Sequence, residues 1–255
     1  MSRVIACYKW VADEADIRIN ADLTVDAGRA KGKISDYDKN AIEAAVQAAS
    51  SLGGKAVTLT FGTAAAKPSL KDALSRGPEE GFWINAEAAA AADGAITAKA
   101  LAAAIEKIGD YSVIFCAEGA SDTYARQTAP RLAAALNLPV VTSAASVTFA
   151  GDAATVVRKL EDTLETVQVK LPAVIAVLPE ANEPCIPGLK AVMAAGKKPV
   201  TEYHAADLGI DFTPKSKVTL VKGYVMNRKN ILFAEGSAED KVRELTAALR
   251  KECVL

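Results

Sequence analysis

The stretch Ala117–Pro130, Ala-Glu-Gly-Ala-Ser-Asp-Thr-Tyr-Ala-Arg-Gln-Thr-Ala-Pro, lies where one pattern of residues gives way to another. Just before it, Tyr111–Cys116 (Tyr-Ser-Val-Ile-Phe-Cys) is short, apolar and rich in β-formers, as a buried strand is. Just after, Ala125, Ala129, Leu132 and Leu136 recur at helical spacing. The stretch therefore reads as a strand-to-helix turn. Gly119 permits a sharp change of direction, and Ser121 or Asp122 is placed to cap the incoming helix. In an open parallel sheet, ligands bind beyond the carboxyl ends of the strands. Free N–H groups and the dipole at a helix start attract phosphate. Ser121, Thr123, Gln127 and Thr128 put hydroxyl and amide groups around that point. An ordinary capped turn that binds nothing fits the same residues.

Working outward, the same alternation recurs upstream. Arg3–Lys9 reads as a central strand. Ser35 with Asp38 resembles a capping box that opens a helix from Tyr37 to Ser50, ended by Gly53-Gly54. Ile17–Asn20 is short enough for a small edge strand. Lys55–Phe61 is a second strand closed by Gly62, Pro68 suits the first turn of a helix carrying Leu70 and Leu74, and Gly81–Ile84 is a short third strand. A helix over Ile96–Ile108 follows. This β-α alternation predicts an α/β fold, a Rossmann-like open and mostly parallel sheet with helices on both faces. Leu138–Val141 is the last strand of the alternating part. Downstream the style changes. Ala145–Phe149, Ala154–Leu160, Leu164–Lys170 and Ala173–Leu178 then read as strands with no helices between them, an antiparallel extension. Pro179–Pro187 carries three prolines and is expected extended or turning. Leu189–Ala195 reads as a short helix, and Glu239–Lys251 as a last one. Asp207–Asn230 has little periodicity. The expected organisation is a nucleotide-binding α/β domain over 1–200 and a C-terminal arm over 201–255 that wraps a partner subunit.

Composition narrows the function classes. The 255 residues carry a formal charge of −1, so no polyanion-binding signal is present. No run of about 18 apolar residues marks a membrane span. The N-terminal Met-Ser-Arg-Val-Ile-Ala-Cys runs straight into a strand without a signal-peptide core, and Cys7, Cys116, Cys185 and Cys253 form no CxxC pair. Reduced thiols in a cytoplasmic protein are expected. His204, the only histidine, has no spacing that makes a metal site. No nucleophile elbow, P-loop or G-x-G-x-x-G is present, and no catalytic residue is assigned.

Several segments resemble one family. Lys33–Ala45 (Lys-Ile-Ser-Asp-Tyr-Asp-Lys-Asn-Ala-Ile-Glu-Ala-Ala) is similar to the helix-opening motif of the electron transfer flavoprotein small (β) subunit. Ser121–Gln127 resembles that family's nucleotide loop. Leu164–Ala173, Asn182-Glu183-Pro184 and Lys197-Lys198-Pro199 resemble its signature, and the motifs keep the family's order along nearly the whole chain. Leu74–Glu79 and the wording of the loop resemble the Fix-type branch of anaerobic metabolism.

The resemblance implies a heterodimer. A large (α) subunit holds a redox FAD, and the small subunit buries an adenine nucleotide. That nucleotide is AMP in ordinary members and a second FAD, reduced by NADH, in electron-bifurcating ones. The Fix-like loop favours FAD here. The implied site takes in Ala6, Cys7 and Tyr8 at the first strand end, Ser35 and Asp38 at the helix start, and Thr60, Phe61 and Gly62. It also takes in Glu118, Gly119, Ser121, Asp122, Thr123, Tyr124, Gln127 and Thr128 of the loop. Asp122 would repel phosphate, so it is expected to cap backbone or meet a hydroxyl. Arg126 either neutralises a phosphate or is a solvated helix charge. The resemblance further places Leu189 as an anchor on an acyl-CoA-type or other flavin dehydrogenase or a quinone oxidoreductase; packing on its own sheet is the alternative. A nucleotide-binding regulatory module without redox work, taking ATP or AMP, fits the turn as well, but leaves the segments after Asn182 without a use.

Overall fold

The computed structural model of the chain describes residues 2–225 and 228–255. Met1 of the N-terminal stretch, and two residues of the weakly patterned Asp207–Asn230, lie outside them. The elements, in chain order, are β1 (Arg3–Tyr8), β2 (Trp10–Ala12), β3 (Arg18–Ile19), β4 (Val25–Asp26), β5 (Gly32–Ile34), α1 (Asp36–Leu52), β6 (Lys55–Gly62), α2 (Lys67–Ser75), β7 (Glu80–Asn85) and α3 (Gly94–Ile108). They continue with β8 (Tyr111–Ala117), α4 (Thr128–Leu136), β9 (Val140–Ala150), β10 (Ala153–Lys159), β11 (Leu164–Lys170), β12 (Ala173–Val177), α5 (Leu189–Ala195), β13 (Val200–His204), α6 (Ala205–Leu208) and α7 (Ala238–Lys251).

Nine strands form one sheet in the order β11-β10-β9-β12-β8-β1-β6-β7-β13. From β9 to β13 every neighbouring pair is parallel, while β10 runs antiparallel to both β9 and β11. The central strands read as unbroken apolar runs because both faces are covered; Val113 to Ala117 of β8 are all buried. Ala41, Ile42, Ala45 and Ala49 of α1, with Ala73 of α2, pack one face, and Leu101, Ile105, Leu132 and Ala133 of α3 and α4 pack the other. The alanine-rich composition serves this layering, since small side chains let helices lie close on the sheet. Gly53 and Asn137 end α1 and α4 in the left-handed conformation. The architecture is the expected α/β, Rossmann-like open sheet with helices on both faces and an antiparallel extension.

Four details differ from the sequence reading. Ala145–Phe149 is not a separate strand; it continues Val140–Val141 as the single strand β9. Ala173–Val177 is not part of the antiparallel extension but returns to the interior, parallel between β8 and β9. Ile17–Asn20 does not edge the main sheet; Arg18–Ile19 pairs with β4 in a separate hairpin. Val200–His204 forms a ninth strand on β7 and crosses the break drawn at residue 200. Its Val-Thr-Glu-Tyr-His is too short to show alternation, and it is held by Tyr203 stacking on Phe82 at 6.2 Å.

Beyond Leu208 the chain leaves the sheet. Phe212 lies 6.0 Å from the Phe61 ring, and Asp93 accepts from the backbone N–H groups of Lys215 and Ser216. Gly223 donates to the Leu23 carbonyl of the β3–β4 hairpin, and a side chain at Gly223 would collide with Ile19. After these attachments little is covered. Val218, Leu220, Val221, Tyr224, Ile231 and Leu232 are exposed, and α7 buries no residue. Among the described residues no helix is long and apolar enough to cross a membrane.

Candidate functional site at the strand tips

Because β1, β6, β8 and β12 are parallel neighbours, their carboxyl ends emerge along one edge. The loop Glu118–Gln127 rises from β8 and meets the start of α1 there. Ser35 precedes α1 but does not form the expected capping box. Its Oγ instead accepts the Ser121 N–H at 3.1 Å, and an Asp38 carboxylate oxygen accepts the Lys9 N–H at 2.8 Å. The two residues bind neighbouring chain segments rather than their own helix end. Lys9 Nζ in turn meets Asp122 at 2.5 Å. Three segments far apart in sequence are thus tied at one point.

The loop is longer than the sequence reading allowed. The helix begins at Thr128, not after Asp122, and no side chain caps it, so neither Ser121 nor Asp122 is a helix cap. Tyr124 and Arg126 both take positive φ, 45° and 54°, which interrupts the helical spacing seen from Ala125. Arg126 lies over the Tyr124 ring at 4.8 Å and pairs with Glu118 at 3.2 Å; the Tyr124 hydroxyl donates to Glu118 at 2.7 Å. That hydrogen bond raises the Tyr124 phenol above its ordinary value. Tyr124 also packs on Tyr37, centroids 5.1 Å apart. Gly119 is needed for this packing, not for a left-handed turn: a Cβ there would sit 2.8 Å from the Tyr124 ring. Asp122 meets a backbone N–H and a neighbouring hydroxyl. Its Oδ1 accepts the Thr123 N–H at 2.8 Å and lies 3.4 Å from the Thr123 hydroxyl.

The remaining expected residues divide by position. Ala6, Cys7, Tyr8 and Thr60 are buried; Phe61 and Gly62 are half-buried at the end of β6. The Tyr8 hydroxyl is 2.9 Å from Ser69 of α2, and burial pushes its phenol well up, so this side chain turns into the core. A hydrogen bond with Cys116 and burial hold the Cys7 thiol well above its usual value, an inert setting for a thiol. Asp38 is buried, and the loss of water pushes its carboxyl up to about 7, against the Lys9 N–H and the Lys9 charge, which favour ionisation. Gln127 and Thr128 stand at the opening of α4, where the first N–H groups have no helical partner.

The donors at this edge are of the kind that phosphate and hydroxyl oxygens of a nucleotide accept. The Ser121 Oγ is wholly covered yet has no hydrogen-bond partner, an unusual state for a buried hydroxyl and one that a ligand oxygen would relieve. Thr123 and Thr128 add hydroxyls and the uncapped start of α4 adds backbone donors, while Lys9 and Arg126 stand beside the loop paired with Asp122 and Glu118.

The model of the electron transfer flavoprotein domain family matches residues 22–208, more than half of the chain. The chain belongs to the electron transfer flavoprotein domain family. The match opens between β3 and β4 and ends with α6, so the family domain contains the loop, α1, α5 and β13, and the arm follows it.

Within this electron transfer flavoprotein domain, the segment after β12 is fastened to the same helix that meets the loop. Asn40 Nδ2 donates to the carbonyls of Pro179 and Asn182 at 2.7 and 2.9 Å, and Asn182 Nδ2 returns a bond to the Asn40 carbonyl at 3.0 Å. Lys198 Nζ donates to the carbonyls of Leu74 and Pro78 at 2.8 and 2.6 Å, closing the C-terminal end of α2. Between these fastenings Ile186, Leu189 and Met193 are 90, 78 and 68% exposed. Leu189 therefore does not pack on its own sheet. Sequence reasoning missed Lys9, Tyr37 and Asn40. Asn40 had a visible signal, a polar residue one turn before Ala44 on the apolar face of α1.

Proposed function

We propose that the chain is the small (β) subunit of a heterodimeric electron transfer flavoprotein of the Fix type, holding FAD at the strand tips and relaying electrons to or from a dehydrogenase. The observation that carries the nucleotide site is the covered, unpartnered Ser121 hydroxyl in the loop between β8 and the uncapped start of α4, on the edge where four parallel strands end. Bound FAD supplies an isoalloxazine that accepts hydride from NADH and passes electrons singly, whereas AMP in the same place supplies only a structural anchor. The chain's own residues bind and orient. Ser121, Thr123, Thr128 and the start of α4 hold phosphate and hydroxyl oxygens. Arg126 would exchange Glu118 for a phosphate, and Asp122 would stay with Lys9 and the Thr123 N–H. The Cys7 and Phe61 backbone would offer hydrogen-bonding groups to the adenine edge.

Two exposed apolar features support the rest. The arm after Ser216, with α7, presents a long run of uncovered apolar residues to the large subunit, as a chain does when its burial is completed by a partner. The stripe Ile186, Leu189 and Met193 faces solvent on a segment fixed to the body, a shape that fits a hydrophobic groove on the dehydrogenase. Co-expression with the large subunit, followed by flavin quantitation and mass measurement of the released nucleotide, tests the reading. Two FAD per heterodimer is the expected result. One FAD plus AMP overturns the FAD assignment, and a colourless preparation free of adenine nucleotide overturns the whole reading.

A further inference from the structure

We infer that Asn40 is a positioning residue that couples the nucleotide edge to the exposed segment 183–196, so that filling the one orders the other. This rests on the nucleotide reading above. The observation behind it is that the first two turns of α1 serve both places. On one side Ser35 accepts the Ser121 N–H and the Tyr37 ring packs on Tyr124, which joins α1 to the loop. One turn further on, Asn40 is buried and grips the Pro179–Asn182 turn through both its side chain and its backbone carbonyl. Glu43, again nearly a turn on, accepts the Cys185 N–H at 3.1 Å, and Arg76, itself paired with Asp72 at 3.0 Å, donates to the Cys185 carbonyl at 3.0 Å. A second link runs through the sheet: Glu118 at the root of the loop donates its N–H to the Val177 carbonyl at 3.0 Å, two residues before the gripped turn.

Beyond these bonds the segment rests on α2, and after α5 Lys198 holds it to the Leu74 and Pro78 carbonyls. α5 has seven residues, of which only Ala195 is buried, and it lies on α2. Short helices of this kind are not stable by themselves. At its N-terminal end its order depends on the bonds at Asn182 and Cys185, and of these the Asn40 and Glu43 bonds depend on the position of α1, while the Arg76 bond ties Cys185 to α2. The loop is the movable part, since residues 122–127 are all exposed and Tyr124 and Arg126 hold strained backbone angles. A ligand that fixes the loop fixes Ser121 and Tyr124 against α1, and through α1 steadies the Asn40 and Glu43 bonds. The coupling is reciprocal: a protein seated on Ile186, Leu189 and Met193 tightens the nucleotide.

The test is hydrogen–deuterium exchange on the full-length chain, stripped of nucleotide and then saturated with FAD, with bound flavin measured on the same samples. The expected result is slower exchange at 118–128 and also at 183–196, by about tenfold at the Cys185 and Val192 amides. In Asn40→Ala, FAD still binds and still slows 118–128, but 183–196 exchanges fast with and without it. Glu43→Ala, which removes one acceptor at a half-buried position, gives the same uncoupling at 183–188 and serves if Asn40→Ala does not fold. If wild-type protein binds FAD and slows at 118–128 while 183–196 is unchanged, the coupling is overturned and the nucleotide reading stands. If neither FAD nor AMP binds, both fall.

Discussion

Replacing Asp38 by asparagine removes an ionisation that the fold makes costly. Burial lifts this carboxyl from its ordinary 3.8 to about 7. A shift of about 3 units at roughly 1.4 kcal/mol each places on the order of 4 kcal/mol against folding once the group is ionised in both states. The sign follows from proton counting. Below pH 4 both folded and unfolded chains hold the proton, and the cost is absent. Between pH 4 and 7 the unfolded chain has lost it while the folded chain keeps it, so stability falls as pH rises. Above 7 the cost is fully in place and constant. Between pH 5 and 8 this one group removes about 2 to 3 kcal/mol from the wild-type protein. Asp38→Asn keeps an oxygen for the Lys9 N–H and has no proton to lose. Urea unfolding followed by circular dichroism at pH 5, 6, 7 and 8 reads the difference. The variant gains on wild type with rising pH, with most of the gain between 5 and 7. The charged groups beside Asp38 are Lys9, which favours its ionisation, and Asp122, which opposes it. Lys9→Met therefore raises the folded-state value further and carries the fall in stability on beyond pH 7. Parallel stability curves for wild type and Asp38→Asn over this range would refute the reasoning.

Gly119→Val drives a side chain into the Tyr124 ring, which must leave Tyr37; the clash costs about 1 to 3 kcal/mol in urea unfolding and strips retained nucleotide from the purified protein. Lys198→Met leaves the Leu74 and Pro78 carbonyls at the end of α2 without their donor and lowers unfolding stability by about 1 to 3 kcal/mol. Leu189→Ala changes folding stability by no more than about 0.5 kcal/mol, because the side chain stands in solvent, yet it weakens electron transfer to the dehydrogenase in a coupled assay. Asp93→Ala frees the arm at Lys215 and Ser216, and limited trypsin digestion then cuts at Lys215 and Lys217 sooner than in wild type.

The regular elements were legible because their signals are local. Tyr111–Cys116, Lys55–Phe61 and the Ile96–Ile108 spacing each carry their own periodicity, and the structure places a strand or helix within a few residues of each. The candidate site was legible as a place, since a parallel sheet brings the turns after β1, β6 and β8 to one edge. The individual roles were less legible. Ser35 and Asp38 look like a capping box by spacing, and only the approach of Ser121 and Lys9 diverts them. The helical spacing of Ala125 and Ala129 concealed two left-handed residues, because periodicity carries no information on φ. The strand Ala173–Val177 could not be placed by its neighbours in sequence; it inserts between β8 and β9 because an all-apolar strand must be covered on both faces.

The amino-acid sequence by itself determined the layered α/β class, the alternation of strands and helices as far as β8 and α4, and the turn on which the candidate site is built. Those properties follow from side-chain period and from turn residues, which act over a few positions. Tertiary structure alone decided which polar groups meet at the strand tips. Ser35 reaches Ser121 across 86 residues, Lys9 reaches Asp122 across 113, and Asn40 reaches Asn182 across 142. Partners so far apart are chosen by the order of strands in the sheet, and that order is settled by burial of the whole sheet and by no local run of residues.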